Sequence, residues 1–229
     1  MRKTVIFVTG SDTGVGKTVI SGLLTRFLKE RGVDVGVCKP ICSGGREDAE
    51  HLLRAAANKQ TLDEVNPWHF AQPLSPLVAA RLERKHVKPA AVLKHIEKVR
   101  ARHALLVLEG AGGLLSPIGE GFDSRTLLTG LKAKPLIVVA DRLGAVNQAL
   151  LVLEALPKRY QAGAQFILSA VAKPDASTQT NARLLMELRP ENPVHCLPRV
   201  SAKETPLLAD KRAPVYRVFH RLLEKWNLA

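Results

Sequence analysis

The segment Val8-Thr-Gly-Ser-Asp-Thr-Gly-Val-Gly-Lys-Thr18 constrains this chain more than any other. An apolar run, Val5 to Val8, feeds a glycine-rich turn ending in Gly16-Lys17-Thr18, and an aliphatic, helix-compatible stretch follows from Val19 to Leu28. Strand, turn and helix N-terminus in that order form a phosphate-binding loop. The turn's N–H groups point at an anion and the helix dipole favours negative charge there. Such a loop places Lys17 at the β- and γ-phosphates of a nucleoside triphosphate and the Thr18 hydroxyl on Mg²⁺. The spacing departs from the common pattern, which has Gly where this chain has Ser11. Its first glycine is Gly10, so the loop reads Gly-x5-Gly-Lys-Thr.

A loop of this kind needs an α/β frame, and the rest of the chain supplies one. Apolar, strand-like runs recur at 4–9, 34–38, 104–109, 135–140, 165–171 and 194–197. Helix-compatible stretches separate them at 17–31, 47–58, 75–84, 89–102, 145–156, 177–188 and 214–227. The alternation predicts a doubly wound, mostly parallel sheet with helices on both faces, read as one domain over 1–229. Continuous aliphatics at Val107-Leu108 and Leu136-Ile137-Val138-Val139 mark central, buried strands. The proline-rich segment 66–76 carries Trp68 and Phe70, which predicts an ordered loop packed on the domain rather than a linker.

Composition narrows the functional classes. Hydrophobic residues make up 46% and aromatics only 4%, so the core is aliphatic. The N-terminal apolar run ends in the phosphate loop and not in a cleavage site, so it reads as a strand and not as a signal peptide. No stretch approaches the ~20 apolar residues of a membrane span. Three cysteines give no disulfide framework and fit a reducing cytoplasm. Cys38 and Cys42 have no partners at metal-ligand spacing and read as packing residues. The net charge of +13 raises the question of nucleic acid. The basic excess at 81–102 (Arg81, Arg84, Lys85, Lys88, Lys94, Lys98, Arg100, Arg102) accompanies Leu93, Ile96 and Val99 at helical spacing, which makes it the solvated face of an amphipathic helix. No aromatics interleave with it as base-stacking would require.

Ligands of open α/β sheets bind at the carboxyl ends of the strands. The second strand ends in Cys38-Lys39-Pro40-Ile41-Cys42-Ser43-Gly44, which puts Lys39 on the same rim as Lys17 as a clamp for a developing phosphoryl anion. The strand at 104–109 ends in Glu109-Gly110-Ala111-Gly112-Gly113. A carboxylate there is unfavourable unless it is paired or coordinates a metal, and the glycines allow close approach to a ligand. Asp48 opens a helix and faces the same metal position or serves only as an N-terminal acid.

These blocks resemble the dethiobiotin synthetases. The match comprises the loop with its extra residue, Lys-Pro-Ile-Cys-Ser-Gly at 39–44, Asn-Pro-Trp-His-Phe-Ala-Gln-Pro-Leu-Ser-Pro at 66–76, Glu-Gly-Ala-Gly-Gly at 109–113 and Leu-Gly-Ala-Val-Asn-Gln-Ala-Leu-Leu at 143–151. They occur in family order over roughly the first two-thirds of the chain. The resemblance implies a cytoplasmic ligase, dependent on ATP and Mg²⁺, that closes the ureido ring of dethiobiotin from 7,8-diaminononanoate and CO₂. One amine captures CO₂ as a carbamate, the carbamate takes the γ-phosphoryl group, and the second amine closes the ring. It implies no membrane partner and no nucleic acid.

Carried over residue by residue, the resemblance puts Asp12, Thr13, Gly14, Val15, Gly16, Lys17, Thr18 and Val19 around the nucleotide. Lys17 and Lys39 stabilise the transferring phosphoryl group, and Lys39 also meets the carbamate. Ser43 contacts the substrate near its amines, Thr13, Gly112 and Gly113 lie along it, and Thr18, Asp48 and Glu109 hold Mg²⁺. Asn147 helps a neighbouring subunit bind the substrate's tail, which implies a homodimer with sites at the interface. Lys173 stands where the family usually has the Asn that reads adenine, and a lysine lacks the paired donor and acceptor of an amide. Gln148 replaces the commoner His, and Arg183 replaces electrostatically a Tyr that some relatives use on the substrate carboxylate. A partition-type ATPase is the nearest alternative, but its signature lysine falls where this chain has Asp12. Ligases of corrin synthesis carry a glutaminase domain for which 229 residues leave no room.

Overall fold

The computed structural model describes residues 3–200, 210 and 212–228; the single-domain reading of 1–229 extends over segments outside these. The chain begins β1 (Thr4–Gly10), α1 (Lys17–Glu30), β2 (Val35–Cys38), β3 (Ile41–Ser43), α2 (Glu47–Ala56), α3 (Leu62–Val65) and β4 (Trp68–Phe70). It continues through α4 (Pro76–Leu82), α5 (Pro89–Arg100), β5 (Leu105–Glu109), β6 (Pro117–Gly119), β7 (Phe122–Asp123), α6 (Ser124–Leu131) and β8 (Lys134–Asp141). It ends with α7 (Ala145–Ala155), α8 (Lys158–Gln161), β9 (Gln165–Ala170), a 3₁₀ turn at Ala176–Gln179, α9 (Asn181–Leu188), β10 (Val194–Leu197) and α10 (Pro214–Lys225).

All the strands of the six-stranded sheet run parallel, in the order β10-β9-β8-β1-β5-β2. The α/β architecture read from the alternation is therefore the one observed. Strand side chains alternate between faces, and β1 shows how the sheet is covered. Val5 and Phe7 join the core beneath α5, α6 and α7, whereas Ile6 and Val8 join the core shared with α1, α2 and α10. Register places Val8 beside Glu109 and Gly10 beside Val138. The end of β1, and hence the phosphate loop, is fixed from both sides.

Local chemistry sets the element ends. Proline opens α4, α5 and α10, where its missing N–H is no loss. Capping boxes at Thr61–Glu64 and Asp123–Thr126 start α3 and α6. On α5, Val92, Ile96 and Val99 are buried and Lys94 and Lys98 are exposed, as the amphipathic reading requires. Arg100 is the exception. It is buried, and its guanidinium donates to Lys3 O (2.5 Å from Nε) and Leu131 O, so it ties the helix to neighbouring chain ends. The sheet edge at β2 is closed by Gln60. Its side-chain amide accepts from Val37 N and donates to Val37 O, both at 2.9 Å, in place of a further strand.

Candidate functional site

The proline-rich segment is ordered, and its structure builds one wall of the site. Trp68–Phe70 pairs with Ile41–Ser43 as a small parallel sheet, and Pro76 opens α4. Ser43 Oγ donates to Leu74 O at 2.6 Å. Arg46 pins the following turn by donating to Asp63, Asn66 Oδ1 and Asn66 O. The resulting cleft of about 990 Å³ runs from the phosphate loop (Thr13, Gly14, Gly16 to Val19) across Lys39, Cys42, Ser43 and Asp48 to Glu109 and Gly112.

Backbone geometry makes the loop a cradle. Gly16 has φ 101° and lies against the Ser169 hydroxyl, 2.8 Å from where a Cβ would project, so a side chain there is excluded by conformation and by space. Gly112 has φ 65° with Ser116 Oγ 2.5 Å from the same position, and that hydroxyl accepts from Gly113 N at 2.9 Å. Ser116 lines the cleft and was not visible as a functional residue in the sequence, because only the folded turn shows what it holds.

The charged side chains converge in one buried cluster. Lys39 Nζ donates to Glu109 Oε1 at 2.5 Å and to Asp48 Oδ2 at 2.6 Å, and Thr18 Oγ1 donates to the same Glu109 Oε1 at 2.8 Å. Glu109 is fully buried, and its Oε2 has no partner among the described residues. Burial opposes the charge of Lys39, but Glu109, Cys42 and Asp48 more than offset it and hold the ammonium above the ordinary lysine value. Asp48 is likewise disfavoured by burial, yet Lys39 and Thr18 hold it below the usual carboxylate range. Lys17 differs. Burial pushes it down to about 8, only partly opposed by Glu109, and its Nζ folds back onto Asp12 O at 2.6 Å. Cys38 and Cys42 are free and buried, the second pushed up to about 12 chiefly by burial, which suits packing and not reactivity.

The oxygens of Thr18, Asp48 and Glu109 suit a hard cation. Mg²⁺ takes all-oxygen ligands and is typically held by one or two carboxylates together with substrate phosphates. The unpartnered, buried Glu109 Oε2 leaves an oxygen with acceptor capacity to spare. Among the described residues no group of three or more His, Cys, Asp or Glu is arranged to hold a metal ion. Asn147 and Lys173 stand apart from this cluster. Asn147 is exposed on the first turn of α7, between exposed Leu143 and Leu151, and Lys173 is exposed in the loop after β9. Arg183 is exposed on α9. Ser11 Oγ donates to Gln148 Oε1 at 3.3 Å and so joins the phosphate loop to α7.

A family model described as an AAA domain matches residues 4–205. The ATP-dependent dethiobiotin synthetase BioD of Methanococcus vannielii is 36% identical over 154 residues, covering 67% of this chain and 73% of that protein. The enzyme of the same name from Anaeromyxobacter sp. (strain K) is 38% identical over 198 residues, covering 84% and 89%. Among solved structures, a ParA family ATPase from Chlorobium tepidum superposes with a TM-score of 0.58 over 96% of this chain and 98% of that one, at 11% identity. That likeness shows the shared fold alone and lends the partition-type alternative no weight. The loop, the strand-end acids and these relatives agree, and the chain belongs to the ATP-dependent dethiobiotin synthetase family.

Proposed function

We propose that this protein is a cytoplasmic, homodimeric ligase that makes dethiobiotin from 7,8-diaminononanoate, CO₂ (supplied as bicarbonate) and ATP. The observation that carries the reading is the cluster in which Lys39, Thr18, Asp48 and Glu109 meet beside the phosphate loop. Phosphoryl transfer needs positioning and charge stabilisation more than a protein nucleophile, and this cleft offers both.

In this scheme one substrate amine attacks CO₂ and loses a proton, giving a carbamate. A carbamate oxygen attacks the γ-phosphorus and ADP leaves. The second amine then attacks the carbamoyl carbon and expels phosphate as the ring closes. The loop N–H groups from Asp12 to Val19 hold the phosphates, and Lys17 turns from Asp12 O to the β- and γ-oxygens. Lys39 meets the charge that grows between carbamate and phosphorus, where a fixed donor acts most strongly. Ser43, Thr13 and the backbone at Gly112 and Gly113 orient the diamine. Thr18, Asp48 and Glu109 hold Mg²⁺, which when bound neutralises phosphate charge.

The dimer places Asn147 on the substrate tail of the neighbouring subunit. The surface around the start of α7 supports this, since Leu143, just before the helix, is 76% exposed and Leu151, on it, 62% exposed on either side of Asn147. Lys173 replaces the base-reading amide, and it relaxes the preference for ATP over other triphosphates. Among the described residues no helix is long and apolar enough to cross a membrane. Phosphate release from ATP with and without diaminononanoate and bicarbonate tests the whole scheme. Release that depends on both, with ureido product, is expected; release stimulated by DNA instead would overturn it.

A further inference from the structure

Lys39 sits between the two acids assigned to Mg²⁺. Its ammonium lies 2.5 Å from Glu109 Oε1 and 2.6 Å from Asp48 Oδ2, and Glu109 Oε1 also receives the Thr18 hydroxyl proton at 2.8 Å. Two of the three proposed metal ligands thus meet one nitrogen, and the third, Thr18, meets the same Glu109 oxygen. Mg²⁺ draws its ligand oxygens in to ~2.0–2.1 Å, so a cation that drew on both acids would crowd the ammonium lying between them. Two cations on one buried carboxylate, one at Glu109 Oε1 and one at the unpartnered Oε2, repel strongly where water does not screen them.

We infer that Lys39 is a stand-in cation that holds the metal-ligand set together and has to be displaced before the metal enters. It is a positioning residue in the unliganded protein, in addition to its proposed contact with the reacting groups. The ammonium satisfies a fully buried Glu109 that would otherwise be an uncompensated charge. Displacement needs somewhere for the ammonium to go, and the phosphate oxygens of a bound nucleotide are the anions that the cleft brings within reach. Metal and nucleotide therefore enter together, and Mg²⁺ alone binds poorly. The exchange also frees Lys39 toward the cleft only once the nucleotide is in place, which keeps the phosphoryl clamp unarmed in the empty enzyme.

The inference rests on Thr18, Asp48 and Glu109 being the metal ligands and on no later step. It is tested with Mn²⁺ titrated into the nucleotide-free protein and followed by its paramagnetic signal. Lys39→Met is expected to bind Mn²⁺ at least tenfold more tightly than wild type, while Lys17→Met, which removes a nearby charge that touches neither acid, changes affinity less than threefold. Equal affinity of wild type and Lys39→Met, or an equal gain in Lys17→Met, would overturn the exchange. A second measurement needs no variant: the wild-type thermal midpoint should stay fixed in Mg²⁺ alone and rise in Mg²⁺ with ADP beyond its value in ADP alone. A rise in Mg²⁺ alone as large as that produced by adding Mg²⁺ to the ADP-bound protein defeats the proposal. No diamine enters either readout, so a failure of ring closure and a failure of the exchange are separately visible.

Discussion

The carboxyl ends of β1, β2 and β5 share a rim with those of β8, β9 and β10, but the two halves are built differently. In the first, Lys17, Lys39 and Glu109 are buried and their partners are charged groups, a loop carbonyl and the Thr18 hydroxyl at short range. In the second, polar contacts organise turns: Asp175 accepts from Leu143 N and Ser177 N, and Asn181 donates to Asp141. Lys173 and Leu143 there face solvent. The half assigned to phosphate chemistry is assembled before any ligand arrives, while the half assigned to the base is left open. Buried charges hold a geometry that chemistry needs, and an open loop leaves selectivity adjustable.

The sharpest way to break this contrast is to remove one buried charge. Lys39→Ala should destabilise the metal-free protein by about 3–5 kcal/mol by leaving Glu109 unpaired, and should lower kcat steeply. The double variant with Glu109→Leu should recover most of the stability and none of the activity, as read by denaturant unfolding. Stability unchanged in the single variant would mean that the pair is not formed. Lys17→Ala comes next. It should lower kcat/KM by about 10²–10³-fold, equivalent to about 3–4 kcal/mol, with little loss of stability because burial already disfavours this charge.

On the open half the expected effects are smaller and different in kind. His195 on β10 is pushed down to about 4, first by burial and then by Arg221, and its Nε2 lies 2.8 Å from Gln165 Oε1. The fold therefore favours the neutral ring. This contribution is complete above the unfolded value near 6.5 and is lost as pH falls toward 4, amounting to about 3 kcal/mol. Stability measured from pH 7 to pH 4 should fall less steeply in His195→Gln than in wild type, and parallel curves would refute the assignment. Smallest is Lys173→Asn, which should raise the kcat/KM ratio of ATP over other triphosphates by about tenfold, or about 1.4 kcal/mol. An unchanged ratio removes Lys173 from base recognition.

The site was legible in the sequence where its chemistry is local or lies at a strand end. The phosphate loop is contiguous and announces itself. Lys39 and Glu109 are 70 residues apart, yet each closes a buried aliphatic strand, and a parallel sheet brings such ends together. What stayed hidden depends on which loops become neighbours. Arg46 and Gln60 act through backbone groups presented by other segments, which nothing in their flanking sequence names, and Ser116 acts only once its turn folds back on Gly113. The β6–β7 hairpin is too short to show alternation. The stretch at 177–188 divides at Thr180, where a 3₁₀ turn started by Asp175 gives way to α9. The segment at 66–76 read as an ordered loop because of its aromatics, although its strand pairing with 41–43 needed the topology.

The central position of β1 has a consequence for how the enzyme is made. Its neighbours are β5 and β8, and the first residue past its end, Ser11, is anchored through its N–H to Val138 O at 3.0 Å, more than half the chain later. Contacts between distant segments form late because long loops must close first. During synthesis the phosphate loop therefore leaves the ribosome before β5 and β8 and must wait for both to acquire its supports. A nascent chain halted before Lys134 would expose the nucleotide motif on a strand with only one side paired, and nucleotide capture by stalled chains of graded length would report the moment when that motif becomes a site.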